Sequence, residues 1–424
     1  MDTKNVIAAI SLSAAVIILY GLFFAPPPPD QNKIQDEKNK IVETTDTPTL
    51  DQKDEEIKIS REEALTEGQR ILFENENIKG SISLTGAAID DLEFKKFKKS
   101  LNSEDNVRLL NPRQVKNGYY VETGWATTNK NIGIPNSKSV WQVEGNNKLT
   151  PNSPIKLSWI NDQNIKFEKE INIDDKYLFT VKQIIKNNSE KTYNFYPYGQ
   201  IIRNEIPEIT NFFILHEGPL GVFDSELVEK DYDDVQEKSY SINADKGWLG
   251  ITDKYWITSI IPQENRKFRS DFDYKNKFRA NFIETNALEV GANETKTNEI
   301  KVLIAAKEVR VIDDYAENLN IEKLDLVIDW GYLYFLTKPM WFALDYFFKI
   351  LGNYGLAIIA VTICIRVVLF PLAQVSFHSM SRMKLLQPEM ARLKELHKED
   401  KVKLQQEMMA LYKREKVNPM SGCL

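Results

Sequence analysis

One ionised side chain stands where ionised side chains are costly. Tyr354 to Ala373 reads YGLAIIAVTICIRVVLFPLA, and its only charge is Arg366. A guanidinium at mid-membrane costs at least about 2.5–3.5 kcal/mol on insertion scales. It must therefore face a protein partner or a water-filled cavity. Thr362 lies one turn earlier on the same helical face, so the two form a polar stripe on an otherwise apolar helix. The structural alternative is a buried pair with an acid on another helix, and neither apolar run of this chain supplies one.

Other chemistry is limited by inventory. Histidine occurs three times (His216, His378, His397) and cysteine twice (Cys364, Cys423). That argues against a multi-histidine metal centre, a Ser-His-Asp triad, a disulfide framework and a Cys-rich zinc site. No cofactor or metal is implied. Trp125, Trp141 and Trp159 can be read two ways, as platforms that stack on sugars or as core and rim aromatics. Asp and Glu are too frequent to single out an acid–base pair, which would need two positioned groups with shifted pKa values. The net charge of −6 argues against a nucleic-acid substrate.

These residues sit in a chain of 424, with 42% hydrophobic and 27% charged residues, ordinary for a globular protein. The averages hide two apolar runs. Val6 to Ala25 carries no charge and is long enough to cross a ~30 Å hydrocarbon core. A signal peptide would have a shorter apolar core and a small-x-small cleavage site, whereas Phe23-Phe24-Ala25 and then Pro26 to Pro29 follow here. Residues 1–25 are expected to be an uncleaved anchor. Val375 to Leu424 holds ten Lys/Arg against six acids. By the positive-inside rule that end is cytoplasmic. Two spans then put the N-terminus on the same side and the stretch between them outside the inner membrane.

That stretch begins with a linker, residues 26–67, in which four prolines lead into a run too polar to bury a core. Residues 68–330 show period-two alternation with turn signals, as in Tyr177-Leu178-Phe179-Thr180-Val181 and Phe278-Arg279-Ala280-Asn281-Phe282-Ile283. The pattern predicts a large antiparallel β-sandwich. It holds no cysteine, so its folding does not depend on oxidation. Residues 331–352 predict an aromatic-rich interfacial helix, with Pro339 in its first turn and Lys338, Asp345 and Lys349 on one face. Met340, Trp341, Leu344, Phe347, Phe348 and Leu351 occupy much of the rest, and Trp341 is a candidate lipid contact. A helix buried on the protein surface is the other reading. Residues 353–374 are the charged span. In residues 375–424, Met383, Leu386, Met390, Leu393 and His397, and then Leu404, Met408 and Leu411, follow 3-4 spacing. They predict a cytoplasmic coiled-coil hairpin. Its basic, Met-rich faces suit a partner or lipid headgroups, with Met408 and Met409 as candidate contacts. A hairpin that packs only on itself is equally compatible with the pattern.

Several longer runs resemble the YidC/Oxa family of membrane protein insertases. They are Asp329-Trp330-Gly331, Phe335 to Pro339, Gly352 to Ile359, Arg366 with Phe370-Pro371-Leu372-Ala373, Leu386 to Met390, Gln405 to Lys413, and Asn418-Pro419. Gly247-Trp248-Leu249-Gly250-Ile251-Thr252-Asp253-Lys254-Tyr255-Trp256 resembles the signature of the family's bacterial outer domain. The resemblance implies a multi-domain membrane protein: an α-helical transmembrane part, an all-β periplasmic sandwich (a β-supersandwich) and a cytoplasmic helical hairpin. It places the family's essential arginine at Arg366 and its neighbouring polar position at Thr362, in a hydrophilic groove. The implied activity is that of a non-enzymatic insertase and chaperone for inner-membrane proteins, alone or with the Sec translocon. The implied partners are nascent inner-membrane proteins, the Sec translocon, the ribosome and membrane lipids. The family's sandwich is similar to galactose mutarotase, an enzyme that relies on paired histidines and a glutamate. A domain with one histidine does not inherit that activity. In the family, the stretch matching Asn418-Pro419 to Gly422-Cys423-Leu424 leads into another transmembrane helix. Four further core helices are therefore expected beyond Leu424, and activity is expected to need them. Two alternatives remain from other classes, a membrane-anchored periplasmic carbohydrate-binding or carbohydrate-converting protein and a scaffold for protein contacts.

Overall fold

The structure is a computed structural model that describes residues 59–207, 216–331, 333–398 and 400–415. The anchor expected over residues 1–25 and most of the linker expected over 26–67 lie outside these. The chain divides into two units, one ending at Ile328 and one beginning at Asp329.

The first unit is a sandwich of two twisted sheets, of eleven and nine strands among the described residues. The larger runs, neighbour to neighbour, through Tyr240–Ala244, Phe268–Tyr274, Phe278–Glu284, Tyr193–Arg203, Tyr119–Ala126, Ala88–Lys98, Ile78–Ser83, Arg70–Glu74 and Lys148–Leu149. Leu178–Asn187 is central in the smaller sheet, between Thr295–Ala306 and Ile165–Ile173. Alternation explains the layering, because successive side chains of a strand point to opposite faces. Phe167 and Ile171 of one strand, and Phe179 and Val181 of the next, are buried. Aromatic rings meet across the layers: Phe73 on Phe179 at 5.2 Å between centroids, Trp125 on Phe167 at 5.2 Å, and Phe94 stacked on Trp256 at 4.6 Å. Each such side chain contributes roughly 1.5–3 kcal/mol by leaving water.

The folded part starts earlier than the sequence suggested. Arg61–Thr66, inside the expected linker, is a short helix (α1) capped by the Ser60 hydroxyl, which accepts from Glu63 N at 3.2 Å. It buries Ala64, and Arg61 pairs with Asp91 and donates to Asn111 Oδ1 at 3.0 Å. Tyr232–Glu237 (α2) and Val309–Asn318 (α3) cover other parts of the sandwich. In α3 the Tyr315 hydroxyl donates to Asp174 Oδ2 at 2.6 Å and accepts from Tyr177 N at 2.9 Å. The Gly247–Trp256 run has a packing role. Gly247 has φ +143°, and a Cβ there would lie 1.9 Å from Val222 O, so only glycine fits. Trp248 is fully buried and its Nε1 donates to Glu322 O at 3.2 Å. That bond ties down the 3₁₀ turn Leu324–Val327 just before the unit ends.

The second unit is helical. Tyr334–Leu351 (α4) holds Pro339 as its sixth residue, in the second turn instead of the expected first. No residue of α4 is buried, and Lys349 pairs with Asp345 at 3.3 Å. Tyr354–Leu396 (α5) is one continuous helix of 43 residues, about 65 Å long at 1.5 Å per residue. The expected boundary between a span ending at residue 374 and a separate hairpin arm is not a break in the helix. Pro371 and Pro388 are carried inside it. Lys401–Arg414 (α6) follows, with Asp400 capping it by accepting from Lys403 N at 3.0 Å.

Phe167 is wholly buried and also touches Phe195 at 5.5 Å. Phe167→Ala should cost about 3–5 kcal/mol of sandwich stability, measured as a drop in the urea midpoint at unchanged m-value. Glu284 gives a pH test. Burial pushes its carboxyl up to about 7, against the pull of Arg266 Nε at 2.8 Å and Asn298 Nδ2 at 2.5 Å. Between the ordinary value of 4.5 and about 7 the folded chain holds a proton that the unfolded chain has released. The stability this contributes is full below 4.5 and is lost as pH rises through about 7. Glu284→Gln should flatten the pH dependence of stability across that window.

Candidate functional site

The turn between α4 and α5 is built from local chemistry. Gly352 ends α4 at φ +65°, where glycine is favoured, and its N–H donates to Phe348 O at 2.8 Å. Asn353 caps α5, its Oδ1 accepting from Leu356 N at 3.2 Å. Phe348 and Tyr354 stack across the turn at 3.9 Å. The two helices pack together. Ala357 and Val361 are the buried residues of this part of α5, while Ile358, Ile359, Ile363, Val367, Val368, Leu369 and Phe370 are exposed. An exposed apolar surface of this extent suits lipid. Among the described residues, α5 is the one helix long and apolar enough to cross a membrane.

Arg366 lies nine residues after Ala357, two and a half turns, and so on the opposite side of α5. It is exposed, and among the described residues no hydrogen bond or ion pair is made to it. Thr362 is exposed on the same side. Its hydroxyl donates to Ile358 O at 2.7 Å, so its proton is engaged by its own helix and the oxygen is left as an acceptor. The stripe therefore offers a cation with several N–H donors beside one neutral acceptor. That can hold a carboxylate or a hydrated polar chain, and it has no nucleophile or proton shuttle.

The hairpin has a small apolar core. Leu386 of α5 and Leu411 of α6 are buried, with Met383, Met390 and Leu393 packed around them. Arg414 Nη2 reaches Glu389 at 2.8 Å. Met408 is half-buried and Met409 exposed, and neither belongs to that core. Trp341 of α4 is half-buried, its ring edge-on to Phe342 at 5.2 Å.

The sandwich does not present the three tryptophans as a sugar platform. Trp125 and Trp141 are 1% and 2% exposed and stack at 6.4 Å, and Trp159 lies partly buried against Phe167 at 5.8 Å. His216 Nδ1 lies 3.3 Å from Asp231 and Nε2 3.2 Å from Pro219 O. Among the described residues no group of three His, Cys, Asp or Glu could hold a metal. Sequence reasoning missed Lys169, which is wholly buried between the sheets with its Nζ donating to Thr123 O at 2.5 Å. The signal was available, because Lys169 shares its strand face with Phe167 and Ile171.

A β-sandwich followed by an aromatic helix, a long helix whose apolar first half bears one arginine, and a helical hairpin is the layout of a membrane protein with a large domain outside the bilayer. A family model described as the YidC periplasmic domain matches residues 70–343, and one described as 60Kd inner membrane protein matches residues 346–424. The chain is 62% identical over 424 residues to the membrane protein insertase YidC of Pelagibacter ubique, covering all of this chain and 76% of that one. To the membrane protein insertase YidC of Mesorhizobium japonicum it is 38% identical over 371 residues, covering 86% of this chain and 61% of the other. A crystal structure of an active YidC insertase with its first transmembrane domain resolved is similar at 15% identity and TM-score 0.32, covering 87% of this chain and 70% of that one. The chain belongs to the YidC family of membrane protein insertases.

Because Met408 and Met409 lie outside the hairpin core, replacing both by Ser should change hairpin stability by under about 1 kcal/mol. Leu411→Ala should cost about 2–5 kcal/mol. Amide hydrogen exchange of α6 in the full-length protein separates the two. Insertion activity that falls for the double Ser variant with protection intact identifies a contact surface. Activity and protection falling together identify a structural one.

Proposed function

We propose that this chain works as a membrane protein insertase and chaperone in the bacterial inner membrane, with Arg366 as a transient host for polar parts of its clients. The observation that carries this is the arginine itself, exposed on α5 opposite the helix's buried strip. It stands in a chain whose relatives are named membrane protein insertases. In this reading residues 1–25 anchor the chain and the sandwich lies in the periplasm. Helix α4 rests in the interface through Trp341, and the first half of α5 spans the bilayer. The hairpin reaches lipid headgroups, the ribosome and the Sec translocon from the cytoplasm, with Met408 and Met409 at the contacts.

The mechanism is non-covalent. A client segment carrying acidic or polar groups resists entering lipid. In a water-holding groove Arg366 offers it a charge-assisted hydrogen bond, with the Thr362 oxygen accepting from donors alongside. That lowers the barrier for a short translocated tail. The client's apolar helix then leaves for lipid, driven by burial at roughly 25 cal/mol per Å².

Losing a charge-assisted hydrogen bond of about 1.5–3 kcal/mol slows a step by about tenfold or more. In the full-length protein, Arg366→Ala should slow insertion of clients with acidic translocated segments by that factor and affect purely apolar clients less. Arg366→Lys should keep much of the activity, because the charge remains. Complementation of an insertase-depleted strain, with client insertion read by protease protection, checks both. Wild-type insertion of acidic clients by Arg366→Ala would overturn the groove reading.

A further inference from the structure

One turn that carries the chain from sheet to sheet is pinned from inside the sandwich. Residues 262–267 join Trp256–Ile261 of the smaller sheet to Phe268–Tyr274 of the larger. Gln263, Glu264, Asn265 and Lys267 form part of the wall of a groove of about 1010 Å³, which Trp248 and Ile321 also line. Arg266 turns the other way. Its Nε lies 2.8 Å from Glu284, whose side chain is 0% exposed at the end of the strand Phe278–Glu284. Among the described residues that ion pair is the one polar contact of Arg266. Asn298 of the smaller sheet completes the cluster. Its Nδ2 donates to Glu284 Oε1 at 2.5 Å and to Gln263 Oε1 at 3.0 Å. One buried carboxylate therefore meets both sheets and the turn.

The two ends of the turn are held by neutral groups. Gln263 Oε1 also accepts from Glu299 N at 3.0 Å, and Thr285 N donates to Lys267 O at 2.9 Å. Glu264 and Asn265 between them are exposed, and Asn265 stands at φ +59°. The middle of the turn therefore depends on Arg266. The Lys267–Asp245 pair at 3.1 Å lies on the outside, with both side chains more than half exposed, and adds little. Arg266 is 24% exposed and so has a path to water, which Glu284 does not.

We propose that Arg266 and Glu284 form a proton-operated latch on this turn. With Glu284 ionised the arginine is drawn in and the groove wall is held; with Glu284 protonated the arginine leaves for solvent and the wall loosens. Arg266 is the charged group that faces Glu284. Its other neighbours, Asn298 and the cross-strand Phe268, carry no charge. Burial pushes Glu284 up to about 7, with Arg266 pulling it down, so the latch changes state near neutrality. The signs separate this device from a merely structural pair. The stability that the raised pKa contributes to the fold is fuller below that value, whereas the attraction that holds Arg266 is present above it. Acid should firm the sandwich and loosen the turn.

The test is amide hydrogen exchange of the full chain in detergent micelles, at about pH 6 and about pH 8, corrected for the intrinsic pH dependence of exchange. Across that range the ionised fraction of a group titrating near 7 changes about tenfold. Peptides covering residues 263–267 should therefore lose protection by up to about tenfold at the lower pH, while the central strand Leu178–Asn187 loses none. Glu284→Gln and Arg266→Gln should each show the loosened turn at both pH values. Corrected protection of the turn that is equal at the two pH values, or that moves in step with Leu178–Asn187, would overturn the latch. So would a turn in Arg266→Gln that still responds to pH as the wild type does. The wild-type comparison needs no substitution, so a variant that fails to fold does not remove the test.

Discussion

If the first half of α5 spans the bilayer, as proposed, the free energy of placing a guanidinium among acyl chains, at least about 2.5–3.5 kcal/mol, falls on Arg366. Ile, Val, Leu and Phe side chains surround it on the exposed surface of α5. The rest of the second unit is consistent with that cost. Ala357 and Val361 put the packed strip of the helix on the far side, so the arginine is not used up in holding α4. Thr362 spends its proton on Ile358 O and leaves an acceptor next to the cation. A residue that costs this much and holds nothing else among the described residues supports the proposal that Arg366 serves function.

The outer unit solves a different problem with different physics. Its two sheets are held by aromatic contacts across the layers, such as Phe73 with Phe179 and Phe94 with Trp256. Its C-terminal end is fixed by Trp248 through Glu322 O, which is possible because Gly247 lets the strand approach Val222. Ile328 therefore leaves the sandwich from a firmly held turn. Two of the ionisable groups buried inside it, Lys169 and Glu284, have pKa values displaced toward neutrality by burial.

Much of this was legible in the sequence because it rests on periodicity. The strand Leu178–Asn187 follows its alternation from Phe179 on, and Leu386, Met390, Leu393 and Leu411 of the 3-4 pattern meet in the hairpin core. Arg366 and Thr362 stood out because composition alone marks a charge in an apolar run. What was not legible depends on partners distant in sequence. The helix Arg61–Thr66 is short and polar, and it is held by Asp91 and Asn111. The continuation of α5 through Pro371 and Pro388 runs against the usual effect of proline, which removes one hydrogen bond per site. The burial of Trp125 and Trp141 decided between a sugar platform and a core, which residue type alone left open. Lys169 was legible in principle, since it shares a strand face with Phe167 and Ile171.

The central claim is that one side of α5, and only that side, meets water or polar client groups at membrane depth. Cysteine scanning of residues 358–370 in the full-length protein in native membranes, in a background without Cys423, measures this most directly. Helical geometry puts residues 359, 362, 366, 369 and 370 on the Arg366 side and residues 361, 364 and 368 opposite. Cys364 supplies a native control. The account requires maleimide labelling to peak at the first set and to be minimal at the second, with native Cys364 unreactive. Uniformly absent labelling, or a maximum at residues 364 and 368, would contradict it.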